Sequence, residues 1–429
     1  MSNSSENTSN TEITFLIGKA ETGDVHAQLT LAGLYDNGYG IARDMGLAAQ
    51  WYLEAAKQGS VEAQASIGIK YLKGIGVDQD FDKAFYWLRM AAGQDNPDAI
   101  AEIGWAYQVG LGSRKNPDKA FQCFERAARM GHAVSCYNLG YMYENGIGTN
   151  KDVLDAIRWY RLAAEQDHKR AQVNLGLCYA KGIGTRKNEI EAVEWFRKAA
   201  EQGYAKGQYN LARMYAQGRG VPNDFHAAAR WYELSANQEY PRAQYDLGLL
   251  YLHGKGVQQD FSQALNWFLK ASVNGYTKAY YQVGRMYEQG LGVPVEIREA
   301  VDWYQDGAEK GFDRAQYRLA NLYLKGEGVE QDSAKAFELY SKAARQGYPP
   351  AQFRLGILYL NGWGVDKDMV ESYAWLYVAA ETNHTTALKE LNKVREAMTT
   401  EQFIEADKLG KRYREEFSVE PGDNFPALK

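Results

Sequence analysis

The residues able to do chemistry in this chain are sparse, and most recur at one interval. Six histidines (His26, His132, His168, His226, His253, His384) and three cysteines (Cys123, Cys136, Cys178) are the candidate bases, nucleophiles and soft ligands. None falls in an HExxH or GxSxG frame, and no Gly-rich segment is followed by the Lys-Ser/Thr of a phosphate loop. Carboxylate pairs such as Asp78 and Asp80 lack the ligand series of a calcium loop. The cysteines show no regular pairing, which fits a reduced compartment. An enzyme, a cofactor and a metal are therefore not expected. What does recur is aromatic and guanidinium chemistry. Tyr137, Tyr209, Tyr245, Tyr281, Tyr317 and Phe353 lie at multiples of 36 residues from one another. Trp105, Tyr141, Arg213 and Arg285 form a second such series, and Arg318 and Arg354 a third. Trp, Tyr and Arg dominate interface energetics, and a guanidinium forks onto a carboxylate. The chemistry on offer is capture of a polypeptide.

That interval comes from a repeat. A 36-residue pattern occurs ten times, starting at Ala27, Ala63, Ala99, Ser135, Ala171, Gly207, Ala243, Ala279, Ala315 and Ala351, with no insertion before Thr386. Within each unit, positions 1, 5, 8 and 9 are spaced as one face of a helix, and positions 22, 25, 26, 29 and 30 as a second. Position 9 is Tyr, and positions 12 and 14 are Gly, in all ten copies. The first Gly stops a helix in the left-handed backbone conformation and the second lets the chain reverse. Asp or Asn then follows, at Asp44, Asp80, Asn116, Asp224, Asp260, Asp332 and Asp368, as an N-cap for the second helix. Position 33 is Gly in six copies and Asp95, Asp167, Glu239 or Asn383 in the others. Each unit is a helix–turn–helix hairpin that cannot bury its apolar face alone, so neighbours must stack.

The string A-Q-x-x-L-G-x-x-Y-x-x-G-x-G-V-x-x-D, continued by A-x-x-W-[YF]-x-K-A-A-x-Q-G, resembles the Sel1-like repeat family, a relative of the tetratricopeptide repeat. The resemblance covers 27–386. It implies an all-α fold, a right-handed α-solenoid superhelix of ten 36-residue repeats with capping helices at both ends. It also implies a scaffold that assembles protein complexes, often in bacteria, with the first helices lining the concave side. Opposite position 5 on those helices lie positions 3 and 7, with position 4 to the side. The resulting candidate groove is Trp105, Tyr137, Tyr141, Tyr209, Arg213, Tyr245, Tyr281, Arg285, Tyr317, Arg318, Phe353 and Arg354. Two alternatives stay open: that the tyrosines are packing residues of the repeat, and that the arginines are partners of Asp246 and Glu288 on adjacent hairpins.

The expected organisation is a loose N-terminus over 1–10, a capping helix over 11–26, repeats over 27–386, capping helices over 387–417 and a flexible tail over 418–429. In the C-terminal cap, Ala387, Leu388, Leu391 and Val394 are expected on one side, and Thr399 with Gln402 reads as a capping box. Net charge is −5 with no polybasic run, so nucleic acid is not an expected partner. The polar N-terminus carries no apolar export signal, and no stretch of about 18 apolar residues is present to span a membrane. A cytoplasmic monomer that holds a peptide or protein segment is the reading. A hydrolase of the kind proposed for cysteine-rich relatives, or a secreted host-interacting effector, is the alternative.

Overall fold

The computed structural model describes residues 3–381 and 385–417, with side chains from residue 12 onward except at residue 385. The expected tail over 418–429, and His384, lie outside the described residues. There are 23 helices and, among the described residues, no strand. The chain divides into two compact units, Met1–Gln202 and Gly203–Lys429.

Each repeat supplies two helices. The first helices are α2 (Val25–Asn37), α4 (Val61–Lys73), α6 (Pro97–Val109), α8 (Ala133–Asn145) and α10 (Lys169–Lys181) in the first unit. In the second they are α12 (Ala205–Gln217), α14 (Pro241–His253), α16 (Thr277–Gln289), α18 (Asp313–Lys325) and α20 (Pro349–Asn361). Their interiors carry the apolar spacing, and their ends are set by the turn residues. Gly254 caps α14 with φ +63°, donating its N–H to the Leu250 carbonyl. The chain then returns so that the Asp260 amide donates to the carbonyl of Tyr251, at 3.0 Å. The Asp260 carboxylate accepts from the Gln263 amide and starts α15 (Phe261–Val273). The second glycine answers to the preceding hairpin. A Cβ at Gly256 (φ +68°) would meet the Phe225 carbonyl and lie 2.7 Å from the His226 amide nitrogen, both on the first turn of α13 (Phe225–Ala236). This backbone-on-backbone approach explains why position 14 is never anything but Gly.

Inside the hairpin, position 6 faces the large side chain at position 26. A Cβ at Gly248 would sit 2.7 Å from the Phe268 ring, and one at Gly176 2.6 Å from Phe196. The position-26 side chains Phe124, Tyr160, Phe196, Tyr232, Phe268, Tyr304 and Tyr340 are all fully buried. Where Gly is missing from position 33, Asp95, Asp167 and Glu239 take the left-handed conformation themselves, at φ 58–61°.

Between hairpins runs a polar clamp. Position 2 is a buried Gln in most repeats. Gln244 donates to the Ala236 carbonyl (3.1 Å), at the C-terminal end of the preceding hairpin, and accepts from Asn274 (3.0 Å). Gln28, Gln64, Gln172 and Gln316 make the same pair of bonds, to Ala20, Ala56, Ala164 and Ala308 on one side and from Gln58, Gln94, Gln202 and Gln346 on the other. The clamp reaches Ala20, on α1 (Asn3–Glu21), so α1 stands in for the second helix of a missing hairpin. This helix begins at Asn3, whereas the sequence reading kept 1–10 loose and began the cap at residue 11.

At the other end, α21 (Met369–Ala380) is covered by α22 (Thr385–Glu396) and α23 (Thr400–Phe417). The capping box forms: the Gln402 amide donates to Thr399 Oγ1 (3.2 Å) and the Thr399 amide to Gln402 Oε1 (3.0 Å). Ala387, Leu391 and Val394 are buried, but Leu388 is exposed, because one residue turns about 100° from Ala387 and leaves the i, i+4, i+7 face. Tyr413 and Phe417 close over Trp375, with ring centroids 4.6 and 5.4 Å away.

Two outcomes are expected. Gly256→Ala, which must displace backbone and adopt φ > 0, costs about 2 kcal/mol or more, whereas Gly248→Ala, which needs only a ring shift, costs about 1. Urea unfolding of the two variants orders them. Gln244→Leu alone leaves Asn274 and a carbonyl without their partner and costs about 1–3 kcal/mol, whereas Gln244→Leu with Asn274→Leu costs less than the sum of the single changes, as a double-mutant cycle would measure.

Candidate interaction surface

In both units the first helices lie side by side. Lys70 on α4 reaches Asp36 on α2 (2.6 Å), and Gln282 on α16 donates to Tyr245 Oη on α14 (3.1 Å). The face they share is built from positions 36, 3, 4, 7 and 11, which fall within about 100° of one another on a helix. The proposed groove residues all lie there, but they do not form one strip.

The tyrosines of position 3 are structural. Each lies between the buried ring at position 26 and a ring at position 34 of its own repeat. Tyr209 packs on Tyr232 and Tyr240, Tyr245 on Phe268 and Tyr276, Tyr281 on Tyr304 and Phe312, and Tyr317 on Tyr340 and Tyr348, at centroid distances of 4.9–6.0 Å. Tyr137 stacks on His168 at 4.7 Å. Tyr209 and Tyr245 are each only 7% exposed, too enclosed to meet a partner. The groove expectation fails for these two, and Tyr137, Tyr281, Tyr317 and Phe353 keep half-buried edges. The physical reason is the three-ring stack, which removes each tyrosine face from water. The sequence carried a signal for it: position 34 is Ser60 or Asn96 where position 3 is Ala65 or Leu29, and a ring where position 3 is Tyr.

The arginines separate as well. Arg318 Nη2 donates to both oxygens of Glu288 (3.1 and 3.0 Å), which also accepts from Tyr304 Oη (2.6 Å). Arg213 stands by Asp246, whose carboxylate accepts from Tyr209 and Tyr232. Burial pushes the Asp246 carboxyl up to about 6, against the opposing pull of Arg213. These two arginines therefore neutralise acids on the neighbouring hairpin, as the second alternative held. Arg285 stays with neutral groups, over the Tyr281 ring (5.9 Å) and donating to Gln282 (3.1 Å). Arg354 is half-buried and makes no ion pair among the described residues. In the first unit, Trp105 and Tyr141 remain open to solvent, at 37% and 40% exposure, with Lys73 Nζ 5.6 Å above the Trp105 ring.

The reading of the sequence missed position 36, where Arg242, Lys278 and Arg314 are exposed on α14, α16 and α18. Their spacing of four and seven residues from positions 4 and 7 was the available signal. Elsewhere, burial pushes up the thiols of Cys123, Cys136 and Cys178, the last to about 11, so none is a ready thiolate. No described helix is long and apolar enough to cross a membrane.

Stacked two-helix repeats with sealed ends define an α-solenoid. The chain belongs to the Sel1 repeat family: its sequence model matches ten consecutive segments, 25–60, 61–96, 97–132, 133–168, 169–204, 205–240, 241–276, 277–312, 313–348 and 349–384. Among solved structures, the chain is similar to a protective antigen present in uropathogenic Escherichia coli strains that displays an SLR fold. Identity is 30%, 95% of each chain is covered and the TM-score is 0.60. It is also similar to a Sel1 repeat protein from Oxalobacter formigenes, at 34% identity over 57% of this chain and 96% of that one, with a TM-score of 0.52. Comparison with curated proteins gives no match.

Because the Asp246 carboxyl is held above the ordinary carboxylate range, the fold favours its protonated form, and that contribution to stability is lost as pH rises through about 6. The unfolding midpoint of the wild type should therefore fall, relative to Asp246→Asn, between pH 4 and pH 6.5, as thermal melts across that window would read.

Proposed function

We propose that this chain is a non-catalytic scaffold whose first-helix face holds a segment of another protein, in a bacterial regulatory or envelope-associated complex. The observation that carries this reading is the exposed pair Trp105 and Tyr141. They stand exposed at position 7 of neighbouring repeats, on the face that the first helices share. A stack of hairpins needs no large ring there for its own packing, and exposed Trp and Tyr are the usual anchors of interfaces. Family membership points the same way, since Sel1 repeat solenoids generally serve as interaction scaffolds. The raised cysteine pKa values weigh against a thiol nucleophile. Capped ends, which leave no open hairpin to propagate, support a monomeric state.

A second reading is supported by the antigen of uropathogenic Escherichia coli, which covers nearly the whole chain at 30% identity. That reading is a secreted, host-interacting effector. Fractionation of the source cells separates the two settings, and in either one the binding face is the same.

Trp105→Ala combined with Tyr141→Ala should abolish capture of a stoichiometric partner from the source cells, while Leu154→Ala, an exposed residue of a second helix, should leave it intact. Crosslinking and mass spectrometry of the captured complex give the readout. Equal capture by both variants would remove the first-helix face as the site.

A further inference from the structure

The first-helix face of the second unit carries a charge opposite to that of the chain. Net charge is −5 overall. Yet Arg242, Lys278 and Arg314 stand exposed at the second residue of α14, α16 and α18, and none makes an ion pair among the described residues. Arg285 and Arg354, on the same face, make none either. The acids nearby are already engaged: Asp246 by Tyr209, Tyr232 and Arg213, with the more distant Lys278 charge also acting on it, and Glu288 by Tyr304 and Arg318. Asp313 accepts from the Arg314 amide at 2.7 Å, so its charge is directed at its own helix end.

A cation in the first turn of a helix opposes the helix dipole and destabilises the helix. Three in successive first helices are not there for the sake of the helices. The N-caps add a second, independent observation. Tyr204, Tyr240, Tyr276, Phe312 and Tyr348 start α12, α14, α16, α18 and α20, and none accepts a capping bond through its side chain. Their rings are committed to the position-3 tyrosines instead. In the first unit, by contrast, Ser60 and Asn96 cap α4 and α6, and the second residues there are the acids Glu62 and Asp98, as a helix end prefers. An open cap and a basic second residue coincide at α14, α16 and α18, whereas α10 pairs a His168 cap with Arg170 and α20 an open cap with Pro350. An open helix N-terminus beside a basic side chain attracts an anion from outside.

We propose that the first-helix face of the second unit docks an extended acidic polypeptide segment, whose carboxylates are taken in turn by Arg242, Lys278, Arg314 and the helix N-termini beside them. The inference rests on the scaffold reading and names its ligand chemistry. Neighbouring first helices lie about 10 Å apart, and an extended chain advances about 3.3–3.6 Å per residue, so an acid at every third residue meets successive cations. A single-stranded nucleic acid fits less well, because the rings beside the cations are packed on tyrosines and not free to stack on bases.

The test uses the full chain and labelled peptides of about 15 residues in a Gly/Ser background. One peptide has Glu at every third position, a second has the same Glu residues contiguous, and an oligouridylate of similar length is the third probe. Anisotropy should show saturable binding of the first peptide, weakening with salt, and binding of the second at least about fivefold weaker. Arg242→Glu/Lys278→Glu/Arg314→Glu should lower affinity for the first peptide about tenfold or more without lowering the unfolding midpoint, since acids suit helix N-termini. No saturable binding, equal affinity for the two spacings, no loss on charge reversal, or tighter oligouridylate binding would each overturn the proposal. So would light scattering in which the wild type self-associates through this face. Capture of a partner that depends on Trp105 and Tyr141, with none of these peptide results, would leave the scaffold reading standing and remove only the acidic ligand.

Discussion

A side-chain amide sealed between two hairpins must find its hydrogen bonds there, and in this chain that requirement fixes how each hairpin sits on the last. Gln at position 2 is held on both sides, by the carbonyl that ends the preceding second helix and by the Gln or Asn that ends its own. An amide with one partner missing is costly, whereas a fully satisfied one specifies a single register. Two of the three exceptions follow the same logic with other chemistry, and at the third, Ile100, Arg126 Nη2 donates to the Ala92 carbonyl at the preceding helix end instead (2.8 Å). Cys136 donates to the Ala128 carbonyl, and Tyr280 donates to that of Ser272 while Lys310 lies over its ring at 5.4 Å. Each replacement still reaches the preceding helix end, so the stack passes through these repeats without a break in period.

Register in turn brings the glycine of position 14 onto the backbone of the preceding hairpin and the rings of position 26 onto position 6. The first contact excludes a side chain, and the second admits nothing larger than the methyl of Ala32, Ala212 and Ala320. The repeat is therefore constrained twice, by polar satisfaction at the junction and by volume at the turn and the hairpin interior. Variation is absorbed where neither applies: at position 33, where Asp95, Asp167 and Glu239 accept a left-handed backbone, and on the open faces of the helices.

The first-helix face shows what folding does and does not explain. Its tyrosines form three-ring stacks, and two of its arginines neutralise half-buried acids, so most of its apparent binding chemistry is internal support. What remains after that subtraction is small and differs between the units. In the first unit it is an aromatic pair, Trp105 and Tyr141. In the second it is a row of unpaired cations at helix ends that lack side-chain caps. Residues that cost the fold something, or give it nothing, are where a function has to be sought.

The sequence by itself determined the hairpin, its period, its caps and its family, because each follows from local spacing: apolar positions three and four apart, a glycine at a helix end, an acid or amide at a helix start. Even the clamp was legible as a Gln that recurs where an apolar residue would be expected. The tertiary structure decided which exposed-looking residues are spare. Tyr209 and Trp105 lie on the same face of their helices, but only the packing of rings from positions 26 and 34 closes over the one and leaves the other open. Arg318 and Arg242 carry the same charge, and only the approach of Glu288 from the next hairpin separates them. Burial and pairing depend on neighbours brought in from outside the helix, and a helical period read along one strand of residues does not contain them.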